Sequence, residues 1–239
     1  MTNSIPHFGA APGDTPFAAT SGRDRVLTAI RETGLCLVTD DRLDIETLLM
    51  ATRQAIEGGV RLVQYRDKSS MRRQFLDQAS RVQDLCAEHE VAFVVNDHTD
   101  VAAIIRADGL HLGQDDLPAS LARRLVGEET AIGLSISYVH EAEEAARDAI
   151  VDYIGCGAVF TTATKPNAEF GGPELLQAVR RVLNIPILGI GGITAQNLQI
   201  PLQASADGVA LVSAVYGDAD PQAAASAILE RIQAARTVG

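Results

Sequence analysis

A polar loop follows one of the apolar segments in the second half of the chain. The stretch YIGCGAVFTTATKPNAEFGG (153–172) combines an apolar run typical of a buried strand with a loop that contains Thr161, Thr162, Thr164 and Lys165. Hydroxyl groups donate hydrogen bonds without adding bulk, and a lysine supplies a point charge, so this loop is suited to binding a phosphate. An ordinary solvated turn is the alternative for this stretch taken by itself, because loops are generally polar.

Glycines and a serine follow two later apolar segments. IPILGIGGIT (185–194) carries a glycine-rich turn, and GVALVSAV (208–215) contains Val212 and Ser213. If these segments are strands seven and eight of a barrel, they occupy the place where such folds often bind phosphate through backbone N–H groups and a helix N-terminus. This position favours a phosphate site over the alternative, in which the glycines only form a turn.

Two acidic residues follow neighbouring strand-like segments, Asp97 in VVND and Asp116 in LGQDD. Adjacent strands would bring the two carboxylates close together, and such a pair suits Mg2+, which takes oxygen ligands, keeps waters and bridges to substrate phosphates. Capping of the following helices is the alternative. Of the two neighbouring acids in LGQDD, Asp115 is expected to cap a helix and Asp116 to bind the metal.

The segment VRLVQYRDKSS (60–70) ends in a basic and polar group of residues, which we call the basic tip: Arg66, Lys68, Ser69 and Ser70. Gln64, Arg66 and Lys68 alternate along this segment, so a period of two predicts that they point to the same side. Arginine can form a fork on a diphosphate and lysine adds charge, although a merely solvated group of charges is the alternative. His111 lies inside an apolar strand and is expected to be a packed or hydrogen-bonded core histidine rather than a catalytic base.

Eight short apolar runs alternate with helical patterns, about 20 to 30 residues apart, as in repeated βα units with a parallel sheet. The pattern predicts an α/β fold of the (β/α)8 TIM barrel type, with a doubly wound open sheet as the alternative. The barrel is favoured because polar residues recur at the strand ends and no GxGxxG motif follows the first strand. Residues 1–21, rich in Pro, Gly, Ser and Thr, are predicted to be a flexible leader, and residues 22–239 a single barrel domain.

Composition limits the classes of function open to the chain. Its 239 residues are 46% hydrophobic and carry a formal net charge of -11, which does not favour nucleic acid as a partner. No stretch approaches the roughly 18 apolar residues that span a bilayer, so no membrane partner is expected either. Cys36, Cys86 and Cys156 lie in apolar runs at wide spacings, which indicates buried thiols and a reducing, cytoplasmic location. The sequence leaves homo-oligomer formation open.

Seven motifs stand in a fixed order along the chain: VQYRDK, VVNDHTDVA, DGLHLGQDD, IGLS, DYIGCGAVFTTATK, IPILGIGGIT and DGVALVSAV. With these motifs, spread over about residues 35 to 216, the chain resembles the thiamine phosphate synthase family. The resemblance implies a (β/α)8 barrel that joins a hydroxymethylpyrimidine diphosphate to a thiazole phosphate and releases pyrophosphate with the help of Mg2+. Whether the thiazole carries a carboxylate stays open.

The resemblance also implies roles for individual positions. The pyrimidine diphosphate would be held by Gln64, Tyr65, Arg66, Asp67, Lys68, Asn96, Ser135 and Lys165. The thiazole phosphate site would be lined by Thr162, Ala163, Thr164, Gly192, Val212 and Ser213. Mg2+ would be bound by Asp97 and Asp116, and catalytic roles would fall to Arg66, Lys68, Ser135 and Lys165.

Some positions depart from the family pattern. Thr161 stands where the family commonly has proline, and Ile136, Ser137 and Tyr138 stand where a His or Thr pair often follows Ser135. Two other functions stay open: a thiazole tautomerase-like paralogue on the same barrel, and a non-catalytic phosphate-ligand sensor. The basic and acidic residues together favour the synthase, because a tautomerase has no evident need for a cradle that holds a metal and a diphosphate.

Overall fold

Short strands alternate with helices along the whole described part of the chain. In the computed structural model, which describes residues 20–161 and 171–237, eight parallel strands pair in sequence order and the last pairs with the first. The strands are β1 (Leu35–Val38), β2 (Leu62–Tyr65), β3 (Ala92–Asn96), β4 (Gly109–Leu112), β5 (Ala131–Ile136), β6 (Tyr153–Cys156), β7 (Ile187–Ile190) and β8 (Gly208–Leu211). The predicted (β/α)8 barrel is confirmed over the open sheet.

Helices follow or precede each strand and surround the barrel. Their bounds are α1 (Gly22–Thr33), α2 (Ile45–Glu57), α3 (Arg72–Glu88), α4 (Thr99–Ile105), α5 (Ala119–Val126), α6 (Val139–Asp148), α7 (Gly172–Val182), α8 (Gln199–Gln203), α9 (Ser213–Tyr216) and α10 (Pro221–Thr237). Among the described residues, no helix combines the length and the apolar character needed to cross a membrane.

The strands are apolar on both faces because successive residues face alternately the barrel interior and the helix layer. In β1, Cys36 and Val38 belong to the interior cluster, whereas Leu35 and Leu37 pack in the cluster formed with the helices. All three cysteines of the chain are buried and free, as the sequence predicted. The period of two therefore fixes which strand residues can reach the inside of the barrel.

Helix α1 lies across the bottom of the barrel, defined as the end where the strands begin. Its buried residues Val26, Ala29 and Ile30 join the interior cluster, and the helix contacts β1 to β5 and β8. At the same end, the Arg236 guanidinium near the end of α10 donates hydrogen bonds to three carbonyls of the last turn of α1 and to Asp207 O. The bottom is thus covered, and the carboxyl ends of the strands form the open end.

One aspartate precedes each of three even-numbered strands, and we call Asp108, Asp152 and Asp207 the strand-start aspartates. Each carboxylate accepts a hydrogen bond from the backbone N–H of a residue at or next to the start of the preceding strand, at 2.9, 2.8 and 2.7 Å: Phe93, Ile132 and Ile187, respectively. Each also pairs with an arginine: Arg25, Arg123 and Arg180, respectively. These contacts tie neighbouring strands together at the bottom of the barrel.

Two elements near the carboxyl terminus differ from the sequence-based expectation. The apolar segment 208–215 was expected to be one strand, but β8 ends at Leu211 and Ser213 begins α9. Val212 leaves the strand conformation with φ -119° and ψ -85°, which a pattern of apolar residues does not reveal.

Residues 1–19, nearly all of the predicted leader, lie outside the described part of the chain.

Candidate active site

Polar side chains replace apolar ones at the interior positions where β2 and β3 end. Gln64 and Asn96 occupy these positions and are only 6% and 7% exposed. Gln64 Nε2 donates a hydrogen bond of 2.8 Å to Asn96 Oδ1. Because a buried amide is costly without a partner, this bond both stabilises the pair and fixes the orientation of the two amides beneath the open end.

The basic tip after β2 is held in place by the loop after β1. Thr39 Oγ1 accepts a hydrogen bond from Arg66 N at 2.8 Å and donates one to Arg66 O at 2.9 Å. Asp41 Oδ2 lies 3.5 Å from Arg66 Nη1 and accepts a hydrogen bond of 3.2 Å from Lys68 N. Strand β2 ends at Tyr65, so these contacts, and not continued strand alternation, position Arg66 and Lys68.

Asp97 and Asp116 meet at the ends of β3 and β4, as their spacing predicted. Both carboxyl groups line the same cleft at the open end, and the Lys68 ammonium contacts Asp97 Oδ2. Burial and the neighbouring Asp97 raise the pKa of Asp116. Burial also acts to raise the pKa of Asp97, but the hydrogen bonds from Lys68 and Asp116 hold it below its ordinary value. The pair therefore favours one shared proton or an added cation.

Neither aspartate of this pair occupies the N-cap position of the following helix. The residue at the N-cap of α4 is His98, and that of α5 is Pro118. Asp97 has a left-handed backbone with φ 61°, and Asp116 Oδ2 folds back to accept a hydrogen bond of 2.7 Å from Gly113 N. The capping alternative considered for Asp97 thus does not account for its carboxylate.

The donor set at this pair fits a magnesium ion. Among residues 20–161 and 171–237, no group of three or more His, Cys, Asp or Glu side chains is arranged to hold a metal. Two carboxylates with waters and substrate phosphates are nevertheless a usual coordination for Mg2+, which seldom needs a complete protein cage. A cleft of about 530 Å3 adjoins the pair and is also lined by Lys68, Ser70 and Arg72. This space leaves room for further oxygen ligands.

Ser135 and His111 stand side by side inside the barrel on β5 and β4. His111 Nε2 lies 3.0 Å from Ser135 Oγ, and Nδ1 lies 3.2 Å from the hydroxyl of Tyr153. The backbone carbonyl of Ser135 accepts a hydrogen bond of 2.6 Å from Gln114 Nε2. His111 is thus a hydrogen-bonded core histidine, as the sequence indicated.

The loops after β6 and β7 pack tightly against each other. Gly192 has φ 63°, and a Cβ at this position would lie 2.5 Å from Thr161 O and 2.7 Å from Phe160 Cβ. Gly191 O accepts a hydrogen bond of 3.0 Å from Phe160 N. The glycine-rich turn therefore touches the beginning of the loop whose continuation was predicted to bind phosphate. Thr162, Ala163, Thr164 and Lys165 lie outside the described residues.

The model of the thiamine monophosphate synthase family matches residues 35–215 of the chain, from β1 to the short helix after β8. This match covers most of the barrel and all the strand ends described above. The chain belongs to the thiamine monophosphate synthase family.

Individual members of the thiamine monophosphate synthase family are similar over most of their length. A thiamine-phosphate synthase of Chlorobium limicola is 39% identical over 200 residues, which cover 83% of this chain and 93% of the relative. One of Vibrio campbellii is 41% identical over 197 residues, 82% of this chain and 96% of the relative. The solved thiamine phosphate pyrophosphorylase of Pyrococcus furiosus superposes with a TM-score of 0.77 at 32% identity, over 86% of this chain and 98% of that one.

Of two residues that the family motif places beside the substrate, Tyr65 has its side chain in the helix layer, whereas Asp67 lines the cleft beside Asp97 and Asp116. The ring of Tyr65 packs on Phe75 at 4.9 Å between centroids, and its hydroxyl donates a hydrogen bond of 2.8 Å to Gln78 Oε1 in α3. Asp67 Oδ1 accepts three hydrogen bonds from Ser69 and Ser70 and so holds the loop before α3. Strand alternation turns the Tyr65 side chain towards the helices, so a substrate contact at this position would fall to its backbone and stays a prediction.

Three residues near the site were missed from the sequence. Thr39 and Asp41 order the basic tip, and Tyr153 contacts His111. The polar residues that directly follow the apolar run 35–38 were a visible signal for the first two. Tyr153 gave no such signal, because an aromatic residue at the start of an apolar strand is typical of the core.

Proposed function

We propose that the protein is a thiamine-phosphate synthase. This transferase joins 4-amino-2-methyl-5-(diphosphooxymethyl)pyrimidine to 4-methyl-5-(2-phosphooxyethyl)thiazole and produces thiamine phosphate and pyrophosphate. Membership of the family supports the reaction class. The observation that carries the proposal for this chain is the contact of the Lys68 ammonium with Asp97 beside Asp116, which joins a basic tip and a carboxylate pair at the open end of the barrel.

The pyrimidine diphosphate would lie across the ends of β2, β3 and β5. Arg66 can form two parallel hydrogen bonds to phosphate oxygens, and Lys68 can add a mobile positive charge. The hydrogen-bonded amides of Gln64 and Asn96 lie deeper and would contact the pyrimidine end, while Ser135 contributes a hydroxyl. This local cluster would bind an anion although the chain as a whole is acidic.

Asp97 and Asp116 would hold Mg2+, which supplies positive charge to the diphosphate when it is bound. The role of the protein is to keep the two carboxylates together. The turn of Asp97 through a left-handed conformation and the hydrogen bond from Gly113 N to Asp116 both serve this purpose. When the substrate binds, the Lys68 ammonium would exchange its contact with Asp97 for a contact with the diphosphate.

The thiazole phosphate would lie on the other side of the open end. The turn at Gly192 and the start of α9 at Ser213, directly after Val212, are the elements that barrels commonly use for phosphate. The assignments of Thr162, Ala163, Thr164 and Lys165 rest on the family motif alone. Together, these positions would hold the thiazole nitrogen opposite the pyrimidine methylene.

The reaction requires no nucleophile from the protein. The bond between the pyrimidine methylene carbon and the diphosphate oxygen breaks, and its electron pair leaves with pyrophosphate. The lone pair of the thiazole nitrogen then forms the new carbon–nitrogen bond. Arg66 and Lys68, with Lys165, would stabilise the charge that builds on the departing pyrophosphate, so catalysis consists of electrostatics and placement of the two substrates.

The test is product formation from the two purified substrates with and without Mg2+. We expect thiamine phosphate and pyrophosphate in equal amounts, and neither when one substrate is omitted. Asp116→Asn should remove most of the turnover, while the neighbouring Asp115→Asn serves as a matched control that retains it. Isomerised thiazole without pyrophosphate would support a tautomerase-like function instead, and binding without any product would support a sensor.

The proposal includes a reducing, cytoplasmic location for the enzyme. The three cysteine thiols are buried and free, which supports this location. Burial raises the pKa of the Cys36 thiol to about 12 and that of Cys156 likewise to about 12, so neither is poised as a thiolate for chemistry.

A further inference from the structure

A chain of three hydrogen-bonded side chains runs through the interior of the barrel beneath the open end. It starts at Tyr153 on β6, passes through the imidazole of His111 on β4, and ends at the hydroxyl of Ser135 on β5. Tyr153 is 1% exposed and His111 is 7% exposed. A core of small and branched apolar residues would fill this space more simply, so the polar chain calls for a functional reason.

The neighbouring strands leave room for the imidazole ring. Gly133 pairs with His111 in the sheet, and Gly155 pairs with Ser135. A Cβ on Gly133 would lie 2.5 Å from His111 Nδ1 and 2.3 Å from Tyr153 Cζ, and a Cβ on Gly155 would lie 3.1 Å from His111 Cε1. Two strand positions thus carry no side chain where the ring and its tyrosine partner lie.

One order of donors along the chain starts at the tyrosine. The buried Tyr153 hydroxyl lies 3.2 Å from His111 Nδ1 and can donate its proton to that nitrogen. A neutral imidazole that accepts at Nδ1 carries its own proton on Nε2. That N–H then donates to Ser135 Oγ, and the serine hydrogen is directed to another acceptor.

We propose that Tyr153 and His111 are positioning residues that make Ser135 a hydrogen-bond donor towards the substrate in the open end of the barrel. With its oxygen engaged by His111 Nε2–H, Ser135 donates its own hydrogen to an oxygen of the pyrimidine diphosphate. This inference rests on the proposed function of Ser135. It adds a role for Tyr153 and a defined tautomer for His111.

The first test reads the tautomer directly in the intact, ligand-free protein. Long-range proton–nitrogen NMR spectra of protein labelled at its five histidines distinguish Nδ1–H from Nε2–H imidazoles, and a His111→Gln variant assigns the signal. We expect the Nε2–H form in the wild type and a mixture in Tyr153→Phe, which keeps the ring and loses only the hydroxyl. An Nδ1–H form in the wild type would overturn the proposal.

The second test is a double-mutant cycle on the kinetics. Tyr153→Phe should lower kcat/KM for the pyrimidine diphosphate by about tenfold, as expected for one hydrogen bond, and leave the KM for the thiazole phosphate unchanged. If Tyr153 acts through Ser135, the double variant with Ser135→Ala should be no slower than Ser135→Ala alone. If the double variant lost kcat/KM by the product of the two single losses, the coupling between Tyr153 and Ser135 would be refuted.

A matched control separates positioning from folding. Tyr65 is also 1% exposed, but its hydroxyl donates to Gln78 in the helix layer. Tyr65→Phe should therefore show no coupling with Ser135→Ala. Coupling of equal size at both tyrosines would refute a specific effect of Tyr153 through His111 on Ser135. If the wild type formed no thiamine phosphate, the proposed function would fail, while the tautomer spectra would still decide the hydrogen-bond chain.

Discussion

Removal of the Asp152 carboxylate should be the most damaging change at the bottom of the barrel. Its side chain is 1% exposed, and Oδ2 accepts hydrogen bonds from Ile132 N and Arg123 Nη2, both at 2.8 Å, while Oδ1 lies 2.5 Å from Arg23 Nη2. Asp152→Ala leaves a buried N–H without this acceptor, a cost of about 1–3 kcal/mol. It also leaves the 11%-exposed Arg123 without its counter-ion.

The total cost can be bounded from these contacts. Breaking a buried ion pair from one side costs about 3–5 kcal/mol. Arg123 keeps hydrogen bonds to the carbonyls of Gly127 and Thr130, at 2.7 and 2.6 Å, which favours the lower end of that range. Asp152→Asn should cost less, about 1–2 kcal/mol, because an amide oxygen in the Oδ2 place still accepts both hydrogen bonds. Arg23, 43% exposed, can turn to water.

Equilibrium urea unfolding followed by far-ultraviolet circular dichroism measures these differences, with an unchanged m-value as the sign that only stability has moved. Asp207→Ala is the matched control, because its side chain is 44% exposed although it makes the same kind of backbone contact to Ile187 N. We expect about 1–2 kcal/mol for this variant, since an exposed ion pair adds little. Equal costs at Asp152 and Asp207 would refute the argument that burial sets the magnitude.

Three further predictions concern the open end. Lys68→Met should strengthen Mn2+ binding to the substrate-free protein by up to about fivefold in calorimetric titrations, because the ammonium no longer competes for Asp97; weaker binding would contradict this. The hydrogen bond from Arg42 lowers the pKa of Asp40 below its ordinary value of 3.8, so the stability from this charge is present above that value and is lost as pH falls through the lowered pKa. Asp40→Asn should therefore weaken the dependence of the unfolding free energy on pH in the acid range. An unchanged dependence would argue against the contact between Asp40 and Arg42. Lys165→Ala should reduce turnover far more than unfolding free energy, and unchanged turnover would exclude its assigned role.

Much of the fold could be predicted from the sequence because it depends on local patterns. Strand-like runs bounded by glycines and polar residues specify the βα repeat, and the polar residues after β3 and β4 mark the open end. The site at Asp97 and Asp116 was predictable for the same reason, since neighbouring parallel strands end at one edge. These features require only the order and period of residues along the chain.

Other features depend on register and packing, which the sequence does not display. The family motif assigns all five residues 64–68 to the substrate. Strand alternation nevertheless turns the Tyr65 side chain towards the helices. The glycines at 133 and 155 acquire their meaning only when the sheet register sets them beside His111. The position of α1 across the bottom was likewise open, because an amphipathic pattern does not say which surface covers it.

The covered bottom of the barrel has a practical consequence for handling the enzyme. Residue Gly22 packs beside Asp108 at the start of β4, and Arg236 lies against the last turn of α1, so both ends of the described chain leave from the face opposite the open end. A partner domain, an affinity tag or a surface linker joined directly to Gly22 or to Thr237 would be attached at the face opposite the open end. The described barrel is therefore suited to tethering or fusion at these two positions without obstruction of the open end.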